Sequence, residues 1–296
     1  MTASDSTHQA LVTLVSLLDD PDVTVIPAVR ERLVRMGPPV IGMLKALRNQ
    51  HRENPSLLHR LDGVIAHIQL DRDVKALLEW RNGRDPELWK GLCILFGLIR
   101  PNCNSAQISD TLVGMAREVW RELNDAQTAI EQIHLFNHLF FHRFQFTVED
   151  PFLSNPHLAM LDYAVAQRKA NPVLFGLLYL ALAFHSGITV RAMVFPGGFL
   201  PACVDQNERI LFYINVFKSG EVFGKEQLRL FLEDYGIFVP DREFLLCDAV
   251  TLTGIYAESL YYIAGNAGDK EMEQVMEEVL KIFGDKRILI VEEDEE

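Results

Sequence analysis

Apolar residues recur at helical spacing through most of the first 170 positions of the chain. Early in the chain this pattern is broken twice, at Asp19-Asp20-Pro21-Asp22 and at Gly37-Pro38-Pro39, which predicts three short helices before residue 50. Further helices are predicted at residues 57–70, 74–80, 86–99, 106–123, 126–142 and 156–169. The first half of the chain is therefore expected to consist of stacked helical pairs.

One segment is apolar on every side. The run from Val173 to Phe184 contains twelve residues and follows Asn171-Pro172. Proline is tolerated in a first helical turn, so a helix can begin at Pro172. The run is too short for a bilayer span, which needs about 20 apolar residues. A helix without a polar face needs neighbours all round, so this segment is predicted to be a core helix.

After Gly187 the apolar spacing becomes extended, which predicts three strands at residues 188–195, 199–204 and 210–216. Turns separate them at residues 196–198 and 205–208. Two helices at 249–264 and 270–283, a short strand at 288–291 and an acidic tail complete the chain. The predicted fold is mainly helical α+β: helical N-terminal repeats, a central helix against a small antiparallel sheet, and a C-terminal helical hairpin.

Charge and cysteine usage narrow the function classes. The 296 residues carry a formal net charge of −13, and the tail from Glu292 to Glu296 supplies five of the acidic groups. Since no basic run offsets this field, neither nucleic acid nor a membrane is expected as a partner. The cysteines form no Cys-x-x-Cys pair and the N-terminus has no signal-peptide pattern, which predicts a cytoplasmic protein with reduced thiols.

The N-terminal helices resemble a HEAT-type repeat. The resemblance rests on Leu17-Leu18-Asp19-Asp20-Pro21-Asp22, followed by Val29, Leu33, Gly37-Pro38 and Val40-Ile41. One copy is clear. It implies a HEAT-like region at residues 1–104.

Several later segments, taken in order, resemble the SirB-type transglutaminase-like family. They are Ile130-Glu131 to Phe146, Arg168 to Pro172, Leu177 to Ala183, Gly187-Ile188, Phe195 to Phe199 and Phe212 to Asn215. The resemblance implies a papain-like core of one helix followed by antiparallel strands, placed at residues 105–246. The helical pair in residues 247–296 is similar to that family's tetratricopeptide-like tail.

Three positions depart from the family's catalytic pattern. The resemblance implies a serine shortly after Asn171-Pro172, a histidine at the strand turn and an aspartate in the third strand, where this chain has Leu174, Gly198 and Asn215. The residues themselves agree, because residues 171–176 contain no Cys, Ser or Thr at the helix N-terminus, where a thiol would be activated. We therefore expect no catalytic residue and no cofactor.

The resulting hypothesis is a non-catalytic binding or scaffolding protein that retains the old groove. Its partner is expected to be a protein or peptide of unknown identity, and its oligomeric state is open. Four positions near the groove are candidate contacts: Arg168, Lys169, Phe199 and Tyr213.

Two alternatives compete with this hypothesis. A cysteine-dependent amidase or acyl transferase could use relocated groups such as Cys203, although a strand thiol between Ala202 and Val204 is more simply a core residue. His134, His138 and His142 recur every four residues and could ligate a metal, although packing and solvent contacts explain the pattern more simply.

Overall fold

The computed structural model describes residues 3–20, 22, 24–101, 103–149, 155–234, 237, 246–284 and 287–289. The chain forms two compact units, residues 1–79 and 80–296. The division into three parts at residues 104 and 246 stays a prediction.

The first unit is helical. Its elements are α1 (Ala3–Leu18), α2 (Ile26–Met36), a 3-10 helix (Pro38–Val40), α3 (Ile41–Gln50) and α4 (Pro55–Arg81), which ends two residues beyond the unit boundary. Gly37, at φ 70°, ends α2 and turns the chain into the 3-10 helix. The two helices predicted at 57–70 and 74–80 are one continuous helix, because the charged residues between them include no proline or glycine. Leucines and valines from all four helices form its core, including Leu11, Leu33, Leu44 and Leu61.

The second unit combines α-helices with a small sheet. The helices are α5 (Leu88–Ile99), α6 (Ser105–Glu122), α7 (Ala129–Asn137), α8 (Leu161–Gln167), α9 (Pro172–His185), α10 (Lys225–Asp234), α11 (Ala249–Ala267) and α12 (Lys270–Ile282). The helix predicted at 126–142 starts later, at a capping box between Thr128 and Glu131, and widens into a π-helix over His138–Arg143. The helix predicted at 156–169 is a 3-10 helix (Pro156–Ala159) followed by α8.

The sheet has five strands in the order β6-β5-β4-β3-β7, and all neighbouring strands are antiparallel. The strands are β3 (Val190–Phe195), β4 (Gly198–Val204), β5 (Ile210–Asn215), β6 (Glu221–Phe223) and β7 (Leu246–Cys247). A separate parallel pair joins β1 (Thr147–Val148) to β2 (Lys169–Ala170). The mainly helical fold with a small antiparallel sheet is thus confirmed.

Helix α9 lies at the centre of the second unit. Every residue from Val173 to Ala183 is buried, and only Phe184 of the apolar run departs from the expectation, with 51% of its surface exposed. Helix α9 contacts β3 and β4, while α10 packs on the cluster of Met193, Leu200, Ala202 and Tyr213. Phe199 of β4 packs against α9, whereas the next residue, Leu200, packs against α10. Because successive strand residues point to opposite faces, the two helices cover opposite faces of the sheet.

Two further expectations concern the whole chain. Among the described residues, no helix combines the length and apolar character needed to cross a membrane. Residues 288 and 289 are irregular rather than a strand, and positions 290–291 and the acidic tail lie outside the described residues.

Candidate functional site

A cleft of about 170 Å³ opens where α9 begins, beside the turn between β3 and β4. Its lining comes from four places: the first turns of α9, the β3–β4 turn and β4, the segment after β5, and the C-terminal segment. The lining residues are Pro172, Val173, Gly176, Phe195, Gly197, Gly198, Phe199, Pro201, Val216, Phe217 and Leu289.

Asn171 is used to start α9. Its Oδ1 accepts a hydrogen bond from the backbone N–H of Leu174 at 2.8 Å, and its Nδ2 donates to Ser259 Oγ at 3.5 Å. Both residues are buried: Asn171 exposes 1% of its surface and Leu174 exposes none. Neither residue lines the cleft; Val173 and Gly176 occupy the helix surface that does.

On the sheet side, Gly198 and Phe199 both line the cleft as the groove hypothesis requires. A Cβ added at Gly198 would meet the Phe195 ring at 3.6 Å, an ordinary contact. The Phe199 ring lies directly against Gly176 of α9. The paired register of β4 with β5 ends at Ala202↔Tyr213, immediately after Pro201. Because proline has no N–H to donate to a strand ladder, its place at this unpaired end is consistent with the opening of the cleft there.

The two candidates from β5 do not reach the cleft. Asn215 is 6% exposed, and its Oδ1 accepts from the backbone N–H of Phe217 at 3.1 Å. Tyr213 is 3% exposed and belongs to the cluster beneath α10, on the other face of the sheet. Of Asn171 and the three positions that depart from the family's catalytic pattern, only Gly198 lines the cleft.

The side chains that line the described cleft are all apolar. It contains no thiol, hydroxyl, imidazole, carboxylate or amine side chain among the residues that form it. An acyl transfer of the papain type needs a nucleophile and a base within hydrogen-bond reach of each other. This surface supplies neither, and its chemistry suits burial of an apolar group.

The C-terminal segment closes one side of the cleft, which the sequence analysis did not anticipate. Gly197 donates its backbone N–H to the carbonyl of Ile288 at 2.7 Å, and Leu289 adds its side chain to the lining. These residues are some 90 positions apart, so no local pattern points to their contact.

Arg168 and Lys169 stabilise the approach to α9. The backbone of Arg168 is left-handed, with φ 61°. Its guanidinium lies 5.2 Å from the centre of the Phe146 ring and donates a hydrogen bond to the Val165 carbonyl. Burial lowers the pKa of this guanidinium. Lys169 pairs with Glu149 at 2.5 Å, and that hydrogen bond raises the pKa of the ammonium. Neither side chain lines the cleft.

The four cysteines are free thiols. Burial raises the pKa of Cys203 to about 11, and Cys203 is only 3% exposed. Burial likewise raises the pKa of Cys93 to about 11 and that of Cys247 to about 12. Thiolates form poorly at such sites, and none of these thiols lines the cleft.

The three helical histidines line a different, shallower cavity of about 430 Å³. His134, His138 and His142 share it with Lys218 and Glu221, among others. The rings of His138 and His142 are 5.5 Å apart. Within the part of the chain that the structure describes, no group of three or more His, Cys, Asp or Glu side chains is placed to hold a metal ion.

His185 also lies far from the cleft. It stands at the C-terminal end of α9, 3.6 Å from Glu87, whereas the cleft is at the N-terminal end. Fourteen residues of α-helix span about 20 Å. This imidazole therefore cannot serve as a base in the cleft.

Beneath the histidine cavity lies a buried polar network that the sequence analysis missed. Asn137 donates from Nδ2 to the Gly220 carbonyl at 2.8 Å, and Tyr179 donates its hydroxyl to Asn137 Oδ1 at 2.7 Å. Gly220 has φ 78°, and a Cβ there would collide with the Asn137 side chain. The network ties α7, α9 and the β5–β6 connection together.

Comparison with known proteins identifies the domain that carries the cleft. Residues 106–249 match the family model described as the transglutaminase-like superfamily, so this part of the chain is a transglutaminase-like domain. No curated protein and no solved structure matches the chain.

Proposed function

We propose that the transglutaminase-like domain at residues 106–249 is non-catalytic and binds an extended apolar segment of a partner protein in the cleft beside α9. The observation that carries this proposal is the set of apolar side chains around Gly198, the position where the family resemblance implies a histidine. Asn171 and Asn215, the polar residues that remain nearby, are both engaged by backbone N–H groups.

The rim of the cleft supports a polypeptide as the ligand. Phe217 lines the cleft and still exposes 48% of its surface. Aromatic residues at a partly open apolar groove are common anchors for protein segments. The backbone N–H of Gly197 already pairs with one backbone carbonyl of the chain, that of Ile288, so this edge of the cleft has the geometry to pair with a peptide.

A peptide-display selection with a matched blocked variant tests the proposal. Gly198→Leu fills the cleft at a position where a Cβ makes only ordinary contacts, while Gly42→Leu adds the same side chain to an open site on α3. We expect peptides selected on the unmodified chain to be rich in aliphatic residues, to bind Gly42→Leu and to lose binding to Gly198→Leu. Selected peptides that bind both variants equally would exclude the cleft as the site.

The same preparation separates the enzyme alternative. A thiol-reactive acyl probe should label no single cysteine in an imidazole-dependent way. Rapid labelling of Cys203 that a histidine substitution abolishes would establish a cysteine-dependent acyl transferase and overturn the non-catalytic assignment.

The helical ends of the chain complete the proposal. We assign to residues 1–104 a HEAT-like surface and to the pair α11–α12 a tetratricopeptide-like surface, in a SirB-type cytoplasmic protein. Contacts between consecutive helices, α1 with α2 and α11 with α12, support this proposal. Helical repeats present extended surfaces that bind protein segments.

A further inference from the structure

The C-terminal segment at residues 287–289 makes ligand-like contacts along the cleft. The Ile288 carbonyl accepts from Gly197 N–H at 2.7 Å, and the Leu289 side chain lines the cleft. Ile288 itself is 8% exposed. Leu289 thus forms part of the cleft wall, and the neighbouring Ile288 carbonyl uses the Gly197 donor.

A buried carboxylate holds the backbone of the same segment. Glu258 of α11 is 1% exposed, and its two oxygens accept the N–H groups of Ile288 at 2.8 Å and Leu289 at 3.0 Å. A buried carboxyl group that lacks hydrogen-bond donors is costly. The two successive N–H groups of Ile288 and Leu289 satisfy Glu258, so this contact stabilises the docked segment.

The first residue of the segment, Arg287, fits less well. The Arg287 guanidinium lies 4.9 Å over the Tyr261 ring, but its Nη1 is buried with no hydrogen-bond partner among the described residues. A buried donor without an acceptor reduces the net stability of the docked segment. A competing segment without this defect can take its place.

We infer that residues 287–289 are an internal ligand of the cleft, displaced by a partner segment of the same chemistry. That partner carries an aliphatic side chain in place of Leu289, two successive backbone N–H groups for Glu258 and a carbonyl for Gly197. The inference rests on the proposed function, since it names what the cleft binds. A tethered ligand acts at a millimolar effective concentration, so the docked segment suppresses binding of weaker free peptides.

A labelled hexapeptide with the sequence of residues 286–291, Lys-Arg-Ile-Leu-Ile-Val, is the probe. Its binding by fluorescence anisotropy is compared between the unmodified full-length chain and full-length Leu289→Asp, which cannot bury its own aliphatic side chain. A chain ending at residue 291 is the matched control for removal of the acidic tail. A peptide with Asp in place of the leucine at position 289 is the control for the probe.

We expect Leu289→Asp to bind the peptide about tenfold or more tightly than the unmodified chain, since loss of one buried leucine weakens self-docking by about that factor. The chain ending at 291 should behave like the unmodified chain, and the Asp peptide should not bind. Adding Glu258→Gln to Leu289→Asp should weaken peptide binding again. If Leu289→Asp is not stably folded, as judged by the absence of a cooperative unfolding transition, Leu289→Ala is used in its place.

Equal affinity of the peptide for the unmodified chain and Leu289→Asp would overturn the internal-ligand inference, as would no binding to either. Neither result touches the proposed function, which depends on whether independently selected peptides lose binding to Gly198→Leu.

Discussion

The Phe199 ring lies so close to Gly176 that a Cβ on this helix residue would stand 2.8 Å from Phe199 Cζ. This contact fixes the ring that forms one wall of the cleft, and it explains a glycine inside a buried helix. Elsewhere such a glycine would lower helix stability relative to alanine.

Gly176→Ala should therefore destabilise the protein by about 1–3 kcal/mol, because the added methyl group displaces the ring. The free energy of unfolding in urea measures this loss. Gly114→Ala on α6 is the matched control, since nothing lies within 4 Å of its Cβ position and alanine should gain up to about 1 kcal/mol there. Equal effects of the two substitutions would contradict the contact. Adding Phe199→Leu should reduce the loss of unfolding free energy that Gly176→Ala causes.

The cysteine pKa values predict slow alkylation of the native chain. At pH 7.5 iodoacetamide should modify Cys203 far more slowly than the denatured protein's thiols, because the reactive thiolate appears only as the pH approaches about 11. Mass spectrometry of peptides after timed quenching gives the rate for each cysteine. A fast rate at Cys203 near neutral pH would contradict the burial.

The same shifts predict a loss of stability in alkaline solution. The thiol pKa is raised from 9.0 to about 11 in folded Cys203, so above pH 9 the unfolded chain releases its proton first. Stability is then fully present below pH 9 and decreases as the pH rises through about 11. Cys203→Ala should flatten this part of the profile of unfolding free energy against pH, measured in guanidinium. An unchanged slope would exclude Cys203 as a contributor.

Tyr179 and Asn137 should be energetically coupled. Tyr179→Phe removes the hydroxyl that donates to Asn137 Oδ1 and leaves that oxygen short of a donor, at a cost of about 1–3 kcal/mol. In a double-mutant cycle with Asn137→Ala, a coupling energy of about 1 kcal/mol is expected. Tyr256→Phe, which removes a separate bond to the Ala159 carbonyl, should be additive with Asn137→Ala. Additivity in both pairs would contradict the network.

The histidine cavity should not bind zinc tightly. The three histidines of this cavity are not grouped with each other or with a carboxylate to hold one ion among the described residues. Equimolar zinc should therefore be lost on dialysis, and chelation should leave the melting temperature unchanged. Elemental analysis of tag-free protein checks the stoichiometry. Retained zinc that His138→Ala removes would show that the described ligand set is incomplete.

Local signals in the sequence predicted the elements that surround the cleft. Asn171-Pro172 marks the start of α9, where the side chain caps the first turn and proline loses no hydrogen bond. Pro196-Gly197-Gly198 marks the turn between β3 and β4, because adjacent proline and glycine residues favour turns. These signals depend only on neighbouring residues, and they located one helix and three strands.

Side-chain direction and long-range contact could not be predicted in this way. Alternation along β5 separates its two faces but does not say which one meets α9, so Tyr213 was placed at the groove although it lies beneath α10. A period of four among the histidines does not distinguish an α-helix from the π-helix at His138–Arg143. The contact of Leu289 with the cleft depends on chain closure over some 90 residues, which leaves no trace in local composition.

Asn171 stands next to the cleft in sequence, and its hydrogen bonds serve the fold. Its amide oxygen secures the first turn of α9 from a position with 1% exposure, independently of any chemistry in the cleft. A designer who wished to install new reactivity here would thus leave Asn171 untouched and place the reactive groups at positions 173 and 198, which line the cleft and do not cap the helix.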